Sequence, residues 1–186
     1  MTIGQIKDSL MPLLEDAAEA ESNLDKNPTS QFARRTYIRS IFSCLEGTVW
    51  ILKDVCFNAK PTSGKRTMSV AEFSLLKEVS YELKNNGEIG TSTKFLRLTD
   101  NIRFTFKTIN KLFKSEIDLG IGKKSWNEFL EAIEVRNRIT HPKQATSFII
   151  TDKEIDTCKN TSSWFNELTH QSIQAFMTVS SSNTGK

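Results

Sequence analysis

Apolar residues recur along most of the chain at intervals of three and four positions, the spacing of one face of an α-helix. The longest such stripe runs from Ile38 to Cys56. These patterns predict six helices, at about residues 2–24, 29–58, 70–86, 100–117, 126–140 and 152–179. No segment shows the alternation of a strand, although residues 147–150 suit a short extended piece. The sequence therefore predicts an all-α protein, a bundle of about five to six helices.

Helix-start signals precede most of these stretches. In a capping box, Ser or Thr is followed three positions later by Glu or Gln, and each side chain bonds the other residue's free backbone amide. Such pairs begin at Thr2, Ser69, Ser125 and Thr151. Asn27 before Pro28 and Asp100 are further candidate starts, and Pro12 is a candidate kink in the first helix.

Length and composition indicate one globular domain. The chain has 186 residues, of which 38% are hydrophobic and 25% are charged, so it is long enough to bury a core. We expect a single domain over residues 1–179 and a disordered, serine-rich tail over 180–186. The sequence has no signal-like N-terminus and no run long enough for a membrane span. We therefore expect no membrane association and a cytoplasmic location.

The cysteine and histidine inventory argues against a metal site. Cys44, Cys56 and Cys158 are far apart and form no CxxC pair, and the chain has only two histidines. Cys44 and Cys56 stand in apolar stretches, where a buried thiol is expected. The sequence predicts neither a bound metal nor a cofactor.

Charge permits an acidic partner without requiring one. The formal net charge is +3 and the isoelectric point is about 8.7. Four cationic residues line one face of the fourth predicted helix: Arg103, Lys107, Lys111 and Lys114. That row is a candidate contact with an RNA backbone. The alternative, a solvated helix face, stays open.

The fifth predicted helix carries an unusual polar residue. Asn137 falls in an apolar stripe, so its amide needs a hydrogen-bond partner. The other members of this stripe are Trp126, Phe129, Leu130 and Ile133. A second apolar patch, on the reverse side, consists of Ala132, Val135 and Ile139. A helix that is apolar on two sides is buried between layers, either inside a bundle or at a subunit interface.

The end of this helix, Arg136-Asn137-Arg138-Ile139-Thr140-His141, combines groups that can act on a phosphodiester. Pro142 disfavours the helical conformation for His141, which leaves the imidazole free to turn toward Arg136. His exchanges protons near neutral pH and Arg binds phosphate oxygens, so the pair can cleave RNA by 2′-hydroxyl attack without a metal. A structural alternative is that the imidazole caps the helix and Arg138 pairs with Glu134.

The stretch from Phe129 to Pro142, with Arg136, Asn137 and His141 at its end, resembles the signature of the HEPN superfamily (higher eukaryotes and prokaryotes nucleotide-binding domains). The resemblance implies a HEPN-like helical bundle. Two copies of the bundle would form a homodimer whose facing motifs make a composite, metal-independent endoribonuclease site.

By position, Arg136 and His141 would be the catalytic pair and Asn137 the supporting polar residue. Glu46 is the candidate for the acidic residue that the family often carries on an early helix, and a salt bridge from Glu46 to Arg39 or Lys53 is the alternative.

Members of the family are often toxins or phage-defence effectors, which implies RNA as substrate and a cognate antitoxin or effector-system protein as partner. Other members are inactive binding or adaptor modules. The hypothesis of such a module therefore stays open beside the hypothesis of an enzyme. A nucleotide-binding accessory role is a third alternative. The second histidine, His170, is expected to be structural or exposed.

Overall fold

The computed structural model describes residues 3–59 and 68–183. Over these ranges the chain forms six α-helices, one short β-hairpin and one 3₁₀ turn. The elements are α1 (Ile3–Lys26), α2 (Gln31–Asn58), α3 (Val70–Leu76), β1 (Val79–Leu83), β2 (Ile89–Thr93), α4 (Leu98–Phe113), α5 (Lys124–Thr140), the 3₁₀ turn (Ala145–Phe148) and α6 (Asp152–Asn183). The predicted helical bundle is confirmed.

Helix α2 forms the centre of the bundle and contacts every other α-helix. Its predicted stripe is buried: Ile38, Val49, Leu52 and Cys56 are nearly inaccessible to solvent. Helix α5 packs along α6, where Trp126, Phe129 and Trp164 form an aromatic cluster. Burial of these apolar side chains is the main contribution to stability.

Two of the predicted capping boxes are present. The Ser69 hydroxyl accepts from the Glu72 amide at 3.2 Å, while the Glu72 carboxylate accepts from the Ser69 amide at 2.6 Å. Thr151 and Glu154 make the same reciprocal pair at the start of α6. Thr2 lies outside the described residues.

Three other predicted helix starts are wrong. Ser30, and not Asn27, caps α2, because residues 27–30 first form a turn in which the Ser30 amide bonds the Asn27 carbonyl at 3.0 Å. Helix α4 begins at Leu98, which leaves Asp100 in its first turn. Helix α5 begins at Lys124, so Ser125 is already helical.

The segment predicted as a helix over 70–86 is half strand. Helix α3 ends at Leu76, and Glu78 then adopts a left-handed conformation with φ of 53°. An antiparallel hairpin follows, in which Val79 pairs with Thr93 and Leu83 with Ile89. Gly87 lies in the turn between the strands with φ of 81°. Glycine suits this position because a residue with a Cβ atom rarely adopts that conformation. The expectation that no segment in this region forms a strand is thus wrong.

The first and last helices differ from their predicted bounds by only a few residues. Helix α1 runs through Pro12 from Ile3 to Lys26. Helix α6 continues to Asn183, into the predicted tail, and residues 184–186 lie outside the described residues. No helix in the described ranges is long and apolar enough to cross a membrane.

Candidate active site at the end of helix α5

Helix α5 ends at Thr140, as the sequence predicted from Pro142. His141 leaves the helix with φ of −122° and ψ of 63°, and its amide still donates to the Asn137 carbonyl at 2.9 Å. The side chain of His141 is exposed, and among the described residues no hydrogen bond involves its imidazole. The imidazole is therefore accessible to a substrate from solvent.

Arg136 is fixed on three sides. Its Nη2 atom donates to the Glu46 carboxylate on α2, and its Nη1 atom donates to Oδ1 of Asn137 at 3.1 Å. The guanidinium also lies 5.3 Å from the centre of the Phe42 ring. About a quarter of the Arg136 side chain remains exposed. The contacts orient the guanidinium without burying it.

Glu46 forms an ion pair with Arg136. The structure thus brings together two residues that the family resemblance placed in one site. The alternative partners are both engaged elsewhere: Lys53 binds Glu78 at 2.6 Å, and Arg39 donates to the Ile139 carbonyl at 3.5 Å. The salt bridge predicted as the alternative, from Glu46 to Arg39 or Lys53, is therefore wrong.

Asn137 is half-buried and accepts the hydrogen bond from Arg136. Its place in an apolar stripe predicted that its amide would need such a partner. The His141 imidazole, in contrast, forms no hydrogen bond with Arg136, although it was expected to be free to turn toward that residue. In one copy of the chain the two central residues of the motif are therefore not joined by a hydrogen bond.

Arg138 binds a different partner from the predicted Glu134. It forms an ion pair with Glu154 at the start of α6 and donates to the Ile149 carbonyl at 2.9 Å. Arg34 reaches the same segment and donates to the Ile150 carbonyl at 2.7 Å. These contacts fix the segment after His141. The predicted extended piece at 147–150 is correct only in part, because residues 147 and 148 belong to the 3₁₀ turn and Ile149 is extended, with φ of −83° and ψ of 124°.

The two apolar sides of α5 have different surroundings. Ala132, Val135 and Ile139 are buried in the bundle. On the other side, Trp126 and Phe129 are buried against Trp164 of α6, whereas Leu130, Ile133 and Asn137 line an open groove of about 750 Å³ between α5 and the start of α4. Its walls include Leu98, Leu130, Ile133, Arg136 and Asn137, with the charged residues Arg97, Glu131 and Glu134. Arg97, Glu131 and Glu134 were missed by the sequence analysis, because the groove joins helices that are distant in sequence.

The predicted cationic row on α4 is partly engaged within the molecule. Arg103 stacks on Trp126, with its guanidinium carbon 4.8 Å from the ring centre. Lys111 binds the Glu72 carboxylate at 2.8 Å. Lys114 has left the helix in a left-handed conformation, and Lys107 is exposed. The structure therefore does not present the four cations as one continuous free row.

Trp50 is the aromatic residue that the sequence analysis missed beside this site. It lies one helical turn after Glu46 on α2 and is 62% exposed, whereas Trp126 is buried. Residues four apart share one face of a helix, so the indole lies on the same side as the Glu46 carboxylate. Its four-residue spacing from Glu46 was the signal that could have identified it.

The three cysteines and the second histidine lie outside this site, and the cysteines are poor nucleophiles. Burial raises the pKa of Cys56 and Cys158 to about 12 and raises that of Cys44 above its usual value. A protonated, buried thiol is a poor nucleophile. His170 is exposed on α6, and its ring lies 3.4 Å from the Gln174 amide. In the described ranges no three His, Cys, Asp or Glu side chains are grouped to hold a metal ion.

Comparison of the chain with protein-family models, with curated proteins and with solved structures found no match.

Proposed function

We propose that this protein is a metal-independent endoribonuclease of HEPN type that acts on RNA as a homodimer. The observation that carries the proposal is the end of α5, where an exposed His141 follows an Arg136 that is held in place by Glu46. A proton-exchanging group and an oriented phosphate-binding group lie at the same helix end. The sequence resemblance assigns the same residues to this activity.

The reaction requires a base, an anion-binding group and a leaving-group acid. An imidazole takes the proton from a 2′-hydroxyl, and that oxygen attacks the adjacent phosphorus. The bond from phosphorus to the 5′-oxygen breaks, this oxygen takes up a proton from an imidazolium or from water, and the 5′ fragment retains a 2′,3′-cyclic phosphate at its 3′ end. Arg136 stabilises the negative charge that develops on the phosphoryl oxygens. Arginine has five N–H donors, so Glu46 and Asn137 leave donors for this task.

A second copy of the chain completes the proposed site. His141 and Arg136 of one copy share no hydrogen bond, and the groove beside Arg136 exposes Leu130. In the proposed dimer, two α5 grooves face each other and place two motifs around one phosphodiester. The family resemblance adds to this proposal the role of a toxin or phage-defence effector, restrained by a cognate partner protein.

Trp50 supports unpaired RNA as the substrate. Aromatic side chains bind single strands by stacking on bases, a contact that duplexes do not offer. The indole lies one turn from Glu46, so a base that stacks on it places its phosphate near Arg136. The guanidinium then supplies the charge contact and Trp50 the base contact.

The test is a cleavage assay with purified protein and total RNA in the presence of EDTA. The wild type should cleave, whereas His141→Ala and Arg136→Ala should lose at least a hundredfold in rate, in line with the contribution of acid–base catalysis. His170→Ala is the matched control, because it removes the other histidine, and should cleave like the wild type. Equal cleavage by the wild type and His141→Ala would contradict the proposal.

A non-catalytic interaction module is the second candidate. One observation favours it: the Arg136 guanidinium is already bonded to Glu46 and Asn137, as a purely structural arginine would be. An adaptor of this kind would bind RNA or protein equally well with and without His141. Binding that is unaffected by His141→Ala, together with no cleavage by the wild type, would support this candidate.

A further inference from the structure

The β-hairpin formed by β1 and β2 has one polar face and one apolar face. Side chains alternate between the faces of a strand. Ser80 and Ser92 lie opposite each other on the polar face and share a hydrogen bond of 2.8 Å. The register places Tyr81 opposite Thr91 and Leu83 opposite Ile89 on the other face. This face carries no charged side chain.

The apolar face is open to solvent. Tyr81 is 58% exposed, Leu83 is 76% exposed and Ile89 is 72% exposed. Phe95 is 87% exposed, and the chain continues the alternation to it, since the Lys94 amide still bonds the Glu78 carbonyl at 2.7 Å. A two-stranded hairpin is marginally stable by itself, because such a face needs a packing partner. An amphipathic hairpin with an uncovered apolar face thus indicates an interface.

The size of this face fits a modest protein interface. Its four large side chains expose on the order of 600 Å², the upper end of what monomeric proteins leave uncovered. Two copies that cover each other would bury about 1,200 Å², the lower end for specific association. An interface of this size is expected to be reversible.

The charges of the hairpin favour a second copy of the chain as the occupant. The segment 79–95 carries two acidic and two basic residues, namely Glu82, Glu88, Lys84 and Lys94, so its formal charge is zero. A segment with zero formal charge offers no net electrostatic attraction to an acidic or a basic partner. Two identical hairpins, in contrast, approach each other without net repulsion. Residues 60–67 contain no large apolar side chain that could cover the face.

We infer that two copies of the chain associate through the apolar face of this hairpin, defined by Tyr81, Leu83, Ile89 and Phe95. The contact is isologous: each copy offers the same uncharged surface to the other. Phe95 lies two residues before Arg97, whose side chain lines the α5 groove, so the hairpin interface and the proposed catalytic seam border each other. The association does not depend on ribonuclease activity.

Sedimentation velocity over a range of protein concentrations tests this inference without RNA. The wild type should change from monomer to dimer as its concentration rises, as expected for a small and reversible interface. Leu83→Lys/Ile89→Lys should weaken the dimer at least tenfold, because it would bring four cations together in an apolar interface. Ile121→Lys is the matched control: this residue is 56% exposed in a turn away from the hairpin, and the substitution should leave the dimer unchanged.

Two further variants keep the test decisive. Phe95→Ser lies outside both strands, so it weakens the dimer without disturbing the ladder if the double lysine variant fails to fold. Ile133→Lys changes the α5 groove. A wild type that stays monomeric at all concentrations would overturn the inference. The inference would also be overturned if Ile133→Lys dissociated the dimer while the hairpin variants left it intact. That result would favour an interface formed by the α5 groove alone.

Discussion

Arg136 on α5 donates to the carboxylate of Glu46 on α2, 90 positions earlier in the chain. The pair joins the two helices at the surface, where roughly half of the Glu46 side chain is exposed. Because the contact is partly hydrated, its contribution to stability is small, about 0–1 kcal/mol. Its main consequence is the orientation of the guanidinium at the helix end that also carries the exposed His141.

Removal of the Glu46 carboxylate should therefore affect activity more than stability. We expect Glu46→Gln to lower the cleavage rate at least tenfold, because the guanidinium loses its orientation, while the free energy of unfolding changes by no more than about 1 kcal/mol. Cleavage kinetics and urea unfolding measure the two effects. Glu15→Gln, on the exposed side of α1, is the control. A loss of stability without loss of activity would assign Glu46 a structural role.

Trp50 should contribute to RNA binding through its ring. In a His141→Ala background, which prevents turnover, Trp50→Ala should weaken the binding of a single-stranded RNA about tenfold, and Trp50→Phe should retain most of it. Fluorescence anisotropy of labelled RNA measures both. Phe32→Ala removes another exposed aromatic residue of α2, 67% exposed, and should have no effect. Equal affinity of all four proteins would exclude stacking on Trp50.

The ion pair between Lys53 and Glu78 should be a stability determinant. Lys53 is 2% exposed, and the Glu78 carboxylate also accepts from Asn101 at 3.2 Å. Glu78→Gln leaves a buried cation without its counter-charge, so we expect a loss of about 3 kcal/mol in the free energy of unfolding. Adding Lys53→Met should restore part of this loss. Urea denaturation measures both effects, and Glu82→Gln on the exposed hairpin is the control.

Cys56 and Cys158 should report global unfolding. Cys56 and Cys158 have pKa values raised to about 12 by burial, so almost no thiolate is present at pH 8, and the folded structure shields the sulfur atoms. We expect alkylation under native conditions to be slow and to follow the population of the unfolded state. All three thiols should react in guanidinium chloride. Rapid native labelling of Cys56 or Cys158 would contradict their placement in the core.

The helical frame was predictable from the sequence because its signals are local. The stripe of α2, the capping box at Ser69 and the end of α5 before Pro142 each depend on residues within a few positions of one another. The hairpin was not predictable in this way. Its first strand, Val79–Leu83, falls within a predicted helix that in the structure ends at Leu76. Glu78 is left-handed there and bonded to Lys53, a tertiary contact that sequence spacing does not reveal.

The candidate site was predictable only in part. Arg136, Asn137 and His141 are contiguous or nearly so, and a short motif can identify them. Glu46 followed from the family resemblance, whereas its geometry did not, because Arg39 and Lys53 on the same helix offered closer partners in sequence. The groove joins α4 to α5 and has no local signature at all.

The most direct measurement of the central claim is cleavage of two synthetic RNAs that carry a site cut by the wild-type protein in total RNA. One RNA is all-ribose, and the other has a single 2′-deoxy nucleotide on the 5′ side of the scissile bond. The proposed mechanism predicts that the first is cut in EDTA to leave a 2′,3′-cyclic phosphate and that the second is not cut. Cleavage of the 2′-deoxy RNA at the same bond and the same rate would contradict it.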